Sequence, residues 1–328
     1  MKKDDIRPVL VAGAGGFIGG HLVGALLADG NAVRAIDIKP PNRWYQRHDE
    51  ADNTVADLRL REAAFMATAG TKSVYNLACN MGGMGFIESN KAACMLNVLI
   101  DTHLLEAVRD EQIYSYFYAS TACVYPGYLQ HDPSVTALKE ADTYPADPED
   151  GYGWQKLFGE RLCLNFGEDY GIPIRVGRYH NVYGPEGTWD GGREKAPAAI
   201  CRKVAEAVLS GGTEIEVWGD GEQSRSFMYI DDGIEGTQRL AASSIDTPMN
   251  IGSSELVTIN QLVDTVCSIG GVQLERRHVL AAPQGVRGRN SDNTEIKSNL
   301  GWQPSISLQS GLERTYAWVY DQVAARYR

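Results

Sequence analysis

An α/β fold built on a doubly wound parallel sheet is predicted by three features of the 328-residue chain. Val9-Leu10-Val11-Ala12 is a short unbroken apolar run, followed by the glycine-rich Gly13–Gly19 and by apolar residues at helical spacing from His21 to Ala28. Strand-like and helix-like segments then alternate as far as Tyr179, as crossovers between parallel strands require. Beyond Tyr179 the alternation gives way to short apolar pieces and glycine-rich loops, the mark of a smaller second lobe. A chain of this length exceeds one small core, which agrees. The expected division is a main domain over 1–180, with returning segments at about 226–252, and a discontinuous C-terminal substrate-binding lobe over 181–225 and 253–328.

The first strand is apolar throughout, as a strand covered on both faces must be. Gly13, Gly16 and Gly19 form a GxxGxxG turn with Phe17 and Ile18 inside it. Such a turn between strand and helix brings backbone N–H groups and a helix N-terminus to a pyrophosphate, the Rossmann-like dinucleotide site. Taken alone, the spacing also fits a turn that holds nothing. Ala32–Asp37 reads as a second strand ending in an acid. Asp37 would accept from a ribose 2′-hydroxyl and repel a 2′-phosphate, which selects NAD over NADP. Asp57, within Val55–Arg59, is either an adenine contact or a loop or N-cap aspartate.

Ser73–Ala78 is the next strand, leading into a second glycine-rich loop, Cys79–Gly85. A helix from Ser89 to Arg109 carries Leu96, Leu99, Leu104, Leu105 and Val108 as a stripe facing the core or a second subunit. Strand Tyr114–Ala119 then delivers Ser120–Pro126. In the second lobe, helices are expected at Ala198–Leu209, Ile259–Ile269 and Ser310–Ala325, with a strand at Glu214–Trp218. Ser226–Asp232 and Pro248–Gly252 are short enough to return to the main sheet.

Composition narrows the function. A net charge of −11 argues against binding a nucleic-acid backbone, which needs a basic face. The six cysteines form no CxxC pair and read as free thiols in a reducing, cytoplasmic setting. No HExxH spacing is present, so no metal site is expected. Val9–Leu27 superficially resembles a leader, but its glycines and His21 fit strand, turn and helix better, and no membrane span is expected.

Two stretches carry chemistry. Tyr152 and Lys156 stand at i and i+4, on one face of a helix that begins near Tyr152. A free tyrosine, with a pKa of about 10, is a poor base at neutral pH. A nearby ammonium and a nicotinamide cation favour its phenolate. Thr121 would share the same substrate oxygen. Cys123 is either a small buried hydrophobe or a proton-transfer group lowered by a neighbouring cation. Alternation puts Thr121 and Cys123 on one side if the segment stays extended. Residue reasoning alone leaves Lys195 and Arg193 equal as that cation.

Four segments carry a more specific likeness: Met81–Ile87, Ser120–Pro126, Gly187–Lys203 and Gly285–Asn293. With them the chain resembles, over nearly its whole length, the extended short-chain dehydrogenase/reductase family of NAD-dependent nucleotide-sugar epimerases and dehydratases, and within it the GDP-mannose 3,5-epimerases. The resemblance implies a GDP-sugar substrate, a tightly held NAD and a homodimer joined through two helices of the main domain. It implies that Thr121, Tyr152 and Lys156 serve a transient oxidation at C4, and that Cys123 and Lys195 exchange protons at C3 and C5. It also implies cofactor contacts from Gly13, Gly16, Phe17, Ile18, Gly19, Asp37, Asp57, Tyr152 and Lys156. The substrate would meet Gly82, Thr121, Ala122, Cys123, Asn181, Lys195, Lys203, Gln223, Arg225 and Arg289, with Lys203 and Arg289 holding the diphosphate. Two departures stand near the site: Cys79-Asn80 where Ala-Asp is expected, and Thr121 for Ser. Against a 4,6-dehydratase, Ala122-Cys123 stand where an Asp-Glu pair is expected. A simple 4-epimerase has no need of Cys123 and Lys195, and a non-catalytic NAD sensor has no need of Tyr152 and Lys156.

Overall fold

The computed structural model describes residues 7–327. Its centre is a sheet of seven parallel strands: β1 (Val9–Ala12), β2 (Val33–Asp37), β3 (Asp52–Val55), β4 (Ser73–Asn76), β5 (Ser115–Thr121), β6 (Ile174–Tyr179) and, much later in the chain, Met249–Ile251. The spatial order runs from Met249–Ile251 through β6, β5, β4, β1 and β2 to β3. The chain therefore starts in the middle of the sheet, builds outward to β3, returns across β1 and builds the other half. Where the direction reverses, between β1 and β4, the strand ends open a crevice, the usual ligand site of such sheets. Val9, Leu10, Val11 and Ala12 are all buried, as their unbroken apolar run requires.

The crossovers are α1 (Phe17–Ala28), α2 (Arg61–Thr68), the linked helices α3 (Met84–Ser89), α4 (Lys91–Met95) and α5 (Val98–Asp110), and the long α6 (Asp150–Tyr170). Where one helix was expected over Ser89–Arg109, the chain breaks at Asn97. Its amide donates to the Cys94 and Asn80 carbonyls and accepts from Asn80 N–H, tying the break to the glycine-rich loop below. The leucine stripe splits accordingly: Leu104, Leu105 and Val108 are core, whereas Leu96 and Leu99 are exposed. The edge strand β3 has no signal in the sequence, because Asp-Asn-Thr-Val is mostly exposed and carries no apolar pattern.

Beyond β6 the chain continues with β7 (Val182–Tyr183), α7 (Ala196–Ser210), β8 (Glu214–Trp218), β9 (Ser224–Ser226), β10 (Met228–Tyr229), α8 (Ile230–Ala242), β11 (the Met249–Ile251 strand above), β12 (Leu256–Thr258), α9 (Ile259–Gly270), β13 (Glu275–Val279), β14 (Gly288–Arg289), α10 (Thr294–Leu300) and α11 (Leu308–Arg326), of which all but α8 and β11 belong outside the main sheet and its flanking helices. The three long helices lie within two residues of their expected bounds and pack together. Pro248–Gly252 does return to the main sheet, as β11 beside β6. Ser226–Asp232 does not: β10 pairs with β7 outside it, and the chain turns into α8. β9 lies between β12 and β14, which places Arg225 and Arg289 side by side in register. No helix among the described residues is long and apolar enough to cross a membrane.

Candidate active site

A cavity of about 750 Å³ runs along the strand ends from the glycine turn to the mouth of the second lobe. Gly13, Gly16, Phe17, Ile18, Gly19, Asp37, Asp57, Gly82, Thr121, Tyr152, Lys156 and Lys195 all line it. At its first end, Gly13 adopts φ +86°, and a Cβ there would lie 2.8 Å from the Ala78 nitrogen. A Cβ on Gly19 would sit 2.1 Å from the Gly13 carbonyl oxygen. Only glycine allows the turn to close this tightly. The N-terminus of α1 has no side-chain cap, so its free N–H groups are available to a ligand in the cavity. Asp37 ends β2, buried, with Oδ1 accepting the Lys39 N–H at 2.8 Å. Free N–H groups, a turn without side chains and a buried acid at the next strand end fit a dinucleotide. Asp57 lines the same end but is held by Arg59, whose Nη2 donates to it at 2.7 Å; that hydrogen bond keeps its carboxyl below the usual range.

Further along, β5 ends at Thr121, and Ala122–Val124 turn into a short 3₁₀ segment. The extended stretch expected over Thr121–Cys123 is therefore absent. Thr121 Oγ1 instead caps the turn, accepting the Cys123 N–H at 3.3 Å. The turn brings the Cys123 carbonyl to the start of α6, where the Glu149 N–H donates to it at 2.9 Å. A Cβ on Gly153 would lie 2.4 Å from that same oxygen, so glycine permits the close approach. Tyr152, one residue earlier, is buried in a small cluster with Cys123, Cys94 and Ile87.

Tyr152 and Lys156 do lie on one side of α6, but each has its own partner. The Tyr152 hydroxyl interacts with Thr121, and burial, with Cys79 and Cys123 nearby, pushes it well above the usual tyrosine value. Lys156 Nζ donates to the Ala119 carbonyl at 2.8 Å and lies 4.7 Å from the centre of the Tyr118 ring. Beneath it, the buried Asp101 accepts from Asn76, Tyr118 and Gln155 at 2.9, 2.9 and 2.6 Å. The sequence gives no hint of this support, because its members are far apart in the chain.

The thiol overturns one expectation. A neighbouring cation was to lower it; burial and the Glu149 carboxylate instead push Cys123 up to about 11, against the opposing pull of Arg289. Arg289, expected at a diphosphate, donates through Nη1 to Cys123 Sγ at 3.4 Å, through Nη2 to Glu149 at 2.8 Å and through Nε to Gln130 at 2.6 Å. Lys195, at the N-cap of α7, shares the electrostatic field of Cys123 and Arg289, and burial lowers it from the usual lysine value. Burial thus moves thiol and ammonium in opposite senses. Arg193 is turned away from them: it donates to Asn80 at 3.1 Å and covers the Phe86 ring. That separates the two cations sequence reasoning left equal.

The remaining expected substrate contacts do not line the large cavity. Ala122 is buried beneath the turn. Asn181, at φ +46°, donates to the Ser226 carbonyl at 3.1 Å. Lys203 donates to the Glu216 carbonyl at 2.9 Å, and burial lowers its pKa. Arg225 donates to the Ser224, Gln284 and Val286 carbonyls, and burial together with Arg289 pulls it down to about 10. Gln223 donates to the Trp218 carbonyl, leaving its buried Oε1 without a partner.

Residues 9–252 match the family model described as NAD dependent epimerase/dehydratase family. The chain belongs to this family. It is 45% identical over 316 residues to GDP-mannose 3,5-epimerase 1 of Oryza sativa subsp. japonica, covering 96% of this chain and 82% of that protein. Among solved structures, UDP-glucose 4-epimerase of Thermotoga maritima superposes with a TM-score of 0.87 at 24% identity, over 97% of this chain and 100% of that one. MoeE5 in complex with UDP-glucuronic acid and NAD does so with a TM-score of 0.81 at 27% identity, over 96% and 99%. The cofactor of this family is NAD.

Proposed function

We propose that the chain is a GDP-mannose 3,5-epimerase, converting GDP-D-mannose to GDP-L-galactose and, when only C5 inverts, to GDP-L-gulose. The observation that carries this reading is the Cys123–Lys195 pair beside Tyr152, in a chain 45% identical to an enzyme of that name. When bound, NAD supplies the oxidation at C4 of the hexose and its reversal. Tyr152 takes the C4 hydroxyl proton, with Thr121 hydrogen-bonded to the same oxygen. Burial holds the phenol protonated, so it needs the positive charge of the cofactor and of Lys156 to act as a base. A ketone at C4 acidifies the hydrogens on C3 and C5. Cys123 and Lys195 exchange those protons from opposite faces, and Tyr152 returns the hydroxyl proton at the end. Lys203 and Arg225 give the region beyond the sugar its positive charge, as a diphosphate requires, whereas Arg289 stays at the thiol.

In D₂O, GDP-mannose should acquire deuterium at C3 and C5. A product unlabelled at both carbons sinks the epimerase reading. Cys123→Ala should abolish that labelling while a single turnover still shows the nicotinamide absorbance change of C4 oxidation.

The active form is proposed to be a cytoplasmic homodimer. Met95, Leu96 and Leu99 at the α4–α5 junction, with Trp154 and Phe158 on the adjoining α6, are all exposed large apolar side chains. An isologous contact between two such faces would bury them. Light scattering should give twice the chain mass, and a charge at Trp154 or Phe158 should reduce it to one. A monomeric parent at micromolar concentration refutes the dimer.

A further inference from the structure

The Cys123 sulfur touches an ion pair whose acidic member has no part in the proposed reaction. Glu149 immediately precedes α6, and its N–H bond to the Cys123 carbonyl fixes it beside the thiol. Glu149 Oε2 accepts from Arg289 Nη2 at 2.8 Å, while Arg289 Nη1 donates to Cys123 Sγ at 3.4 Å. Gln130 holds the Nε edge at 2.6 Å, so the guanidinium cannot turn away. The arginine and glutamate side chains are only 5% and 13% exposed, where solvent screens charge poorly. An arginine alone in that position would favour a resting thiolate. Such a thiolate has no proton to donate, and as the conjugate base of a stronger acid it is the poorer acceptor from carbon.

We propose that Glu149 is a positioning residue of the carbon-acid step, which neutralises Arg289 and so keeps the Cys123 sulfur protonated until the sugar is in place. Its use in catalysis rests on the epimerase reading. Without it, Arg289 would act on the sulfur unopposed and the thiolate share would rise, against burial, which favours the neutral thiol. The charged and titratable groups that act on the sulfur come from several elements. They are Glu149 before α6, Tyr152 on α6, Lys195 before α7, Arg225 on β9 and Arg289 on β14. Glu149 is the acid among them that is ionised at neutral pH: burial would raise its carboxyl, but Arg289, the Cys123 thiol and Arg225 together hold it low.

The test reads the thiol directly, without substrate. Thiolate absorbance is titrated for each protein against its Cys123→Ala counterpart. Glu149→Gln keeps a hydrogen-bonding side chain against Arg289 but removes the charge. The Cys123 titration should move to lower pH by about one unit, a rise of about tenfold in thiolate at fixed pH. Arg289→Gln should move it the opposite way, and Glu149→Asp should restore the parent curve. With GDP-mannose, the pH dependence of deuterium entry should shift in Glu149→Gln, while single-turnover C4 oxidation stays at the parent rate. A Glu149→Gln curve that coincides with the parent's, or lies above it, overturns the proposal. If that variant does not fold, an unmoved thiol in Arg289→Gln overturns it equally. A parent that turns over no GDP-mannose removes the epimerase reading and leaves the thiol measurement standing.

Discussion

Tyr152 owes its expected chemistry to its surroundings. Its hydroxyl is buried and held well above the usual tyrosine value, so the phenolate forms only when cationic groups come close. Tyr152→Phe keeps the ring in its cluster with Cys123 and removes the proton acceptor. C4 oxidation should slow by about 10²–10⁴-fold, the usual worth of a general base. Rapid-mixing measurement of the nicotinamide absorbance checks the rate, and a variant that oxidises at the parent rate assigns the proton to another group. Tyr152 and Lys156 were legible in the sequence because their partnership is a spacing on one helix. Glu149, Gln130 and Asp101 were not, because they act through contacts between segments far apart in the chain. Arg289 was singled out, yet its contact with the thiol was equally out of reach, since it depends on β14 lying beside β9.

At the scale of elements, the site depends on how α6 is held against β5 and β6. Glu160 on α6 receives both Arg178 Nε at 2.9 Å and Nη2 at 2.7 Å from β6, and the Ser120 hydroxyl from β5. All three are buried. The ion pair thus joins the helix that carries Tyr152 and Lys156 to β6, and the Ser120 hydroxyl joins the same carboxylate to β5, the strand that ends in Thr121. Removing one member of a buried pair leaves an uncompensated charge, which costs about 3–5 kcal/mol. Glu160→Gln should lower unfolding stability by that amount in urea, and kcat should fall more than KM rises, because α6 loses its seat while the ligand surface stays. A change below about 1 kcal/mol would mean that the pair contributes little to stability. Strands β1, β2 and β5 and the long lobe helices were legible from apolar runs and periodicity. The break at Asn97 and the edge strand β3 were not, because a side-chain amide sets the first and pairing alone sets the second.

Across the whole molecule, the doubly wound order could be expected from alternation, and the return of β11 from a short apolar piece. Which small strands join which sheet could not, since β7, β9, β10 and β14 are two or three residues long. Their junction with the main sheet encloses a polar group with a measurable consequence. His180 leaves β6 fully buried, its Nε2 2.9 Å from Asn250 Oδ1 and its Nδ1 without a partner. Burial lowers its pKa from 6.5 to about 3, only partly opposed by the Asn250 hydrogen bond. Between those values the unfolded chain takes up a proton that the folded chain refuses. Stability therefore falls as pH drops from 6.5 toward 3, by up to about 1.4 kcal/mol per pH unit from this one group. His21, also lowered by burial, adds in the same direction. Asp101 and Glu140, which burial raises, act in the opposite sense once the pH reaches the carboxylate range. The slope from His180 is half developed at pH 6.5 and near its full value by about pH 5.5, and carboxylates held low by their partners, Glu149 among them, add to the loss at lower pH. His180→Gln can still donate to Asn250 and has no proton to gain, so its urea midpoint should change less with pH over that interval. Equal slopes for parent and variant would show that His180 is protonated in the folded protein.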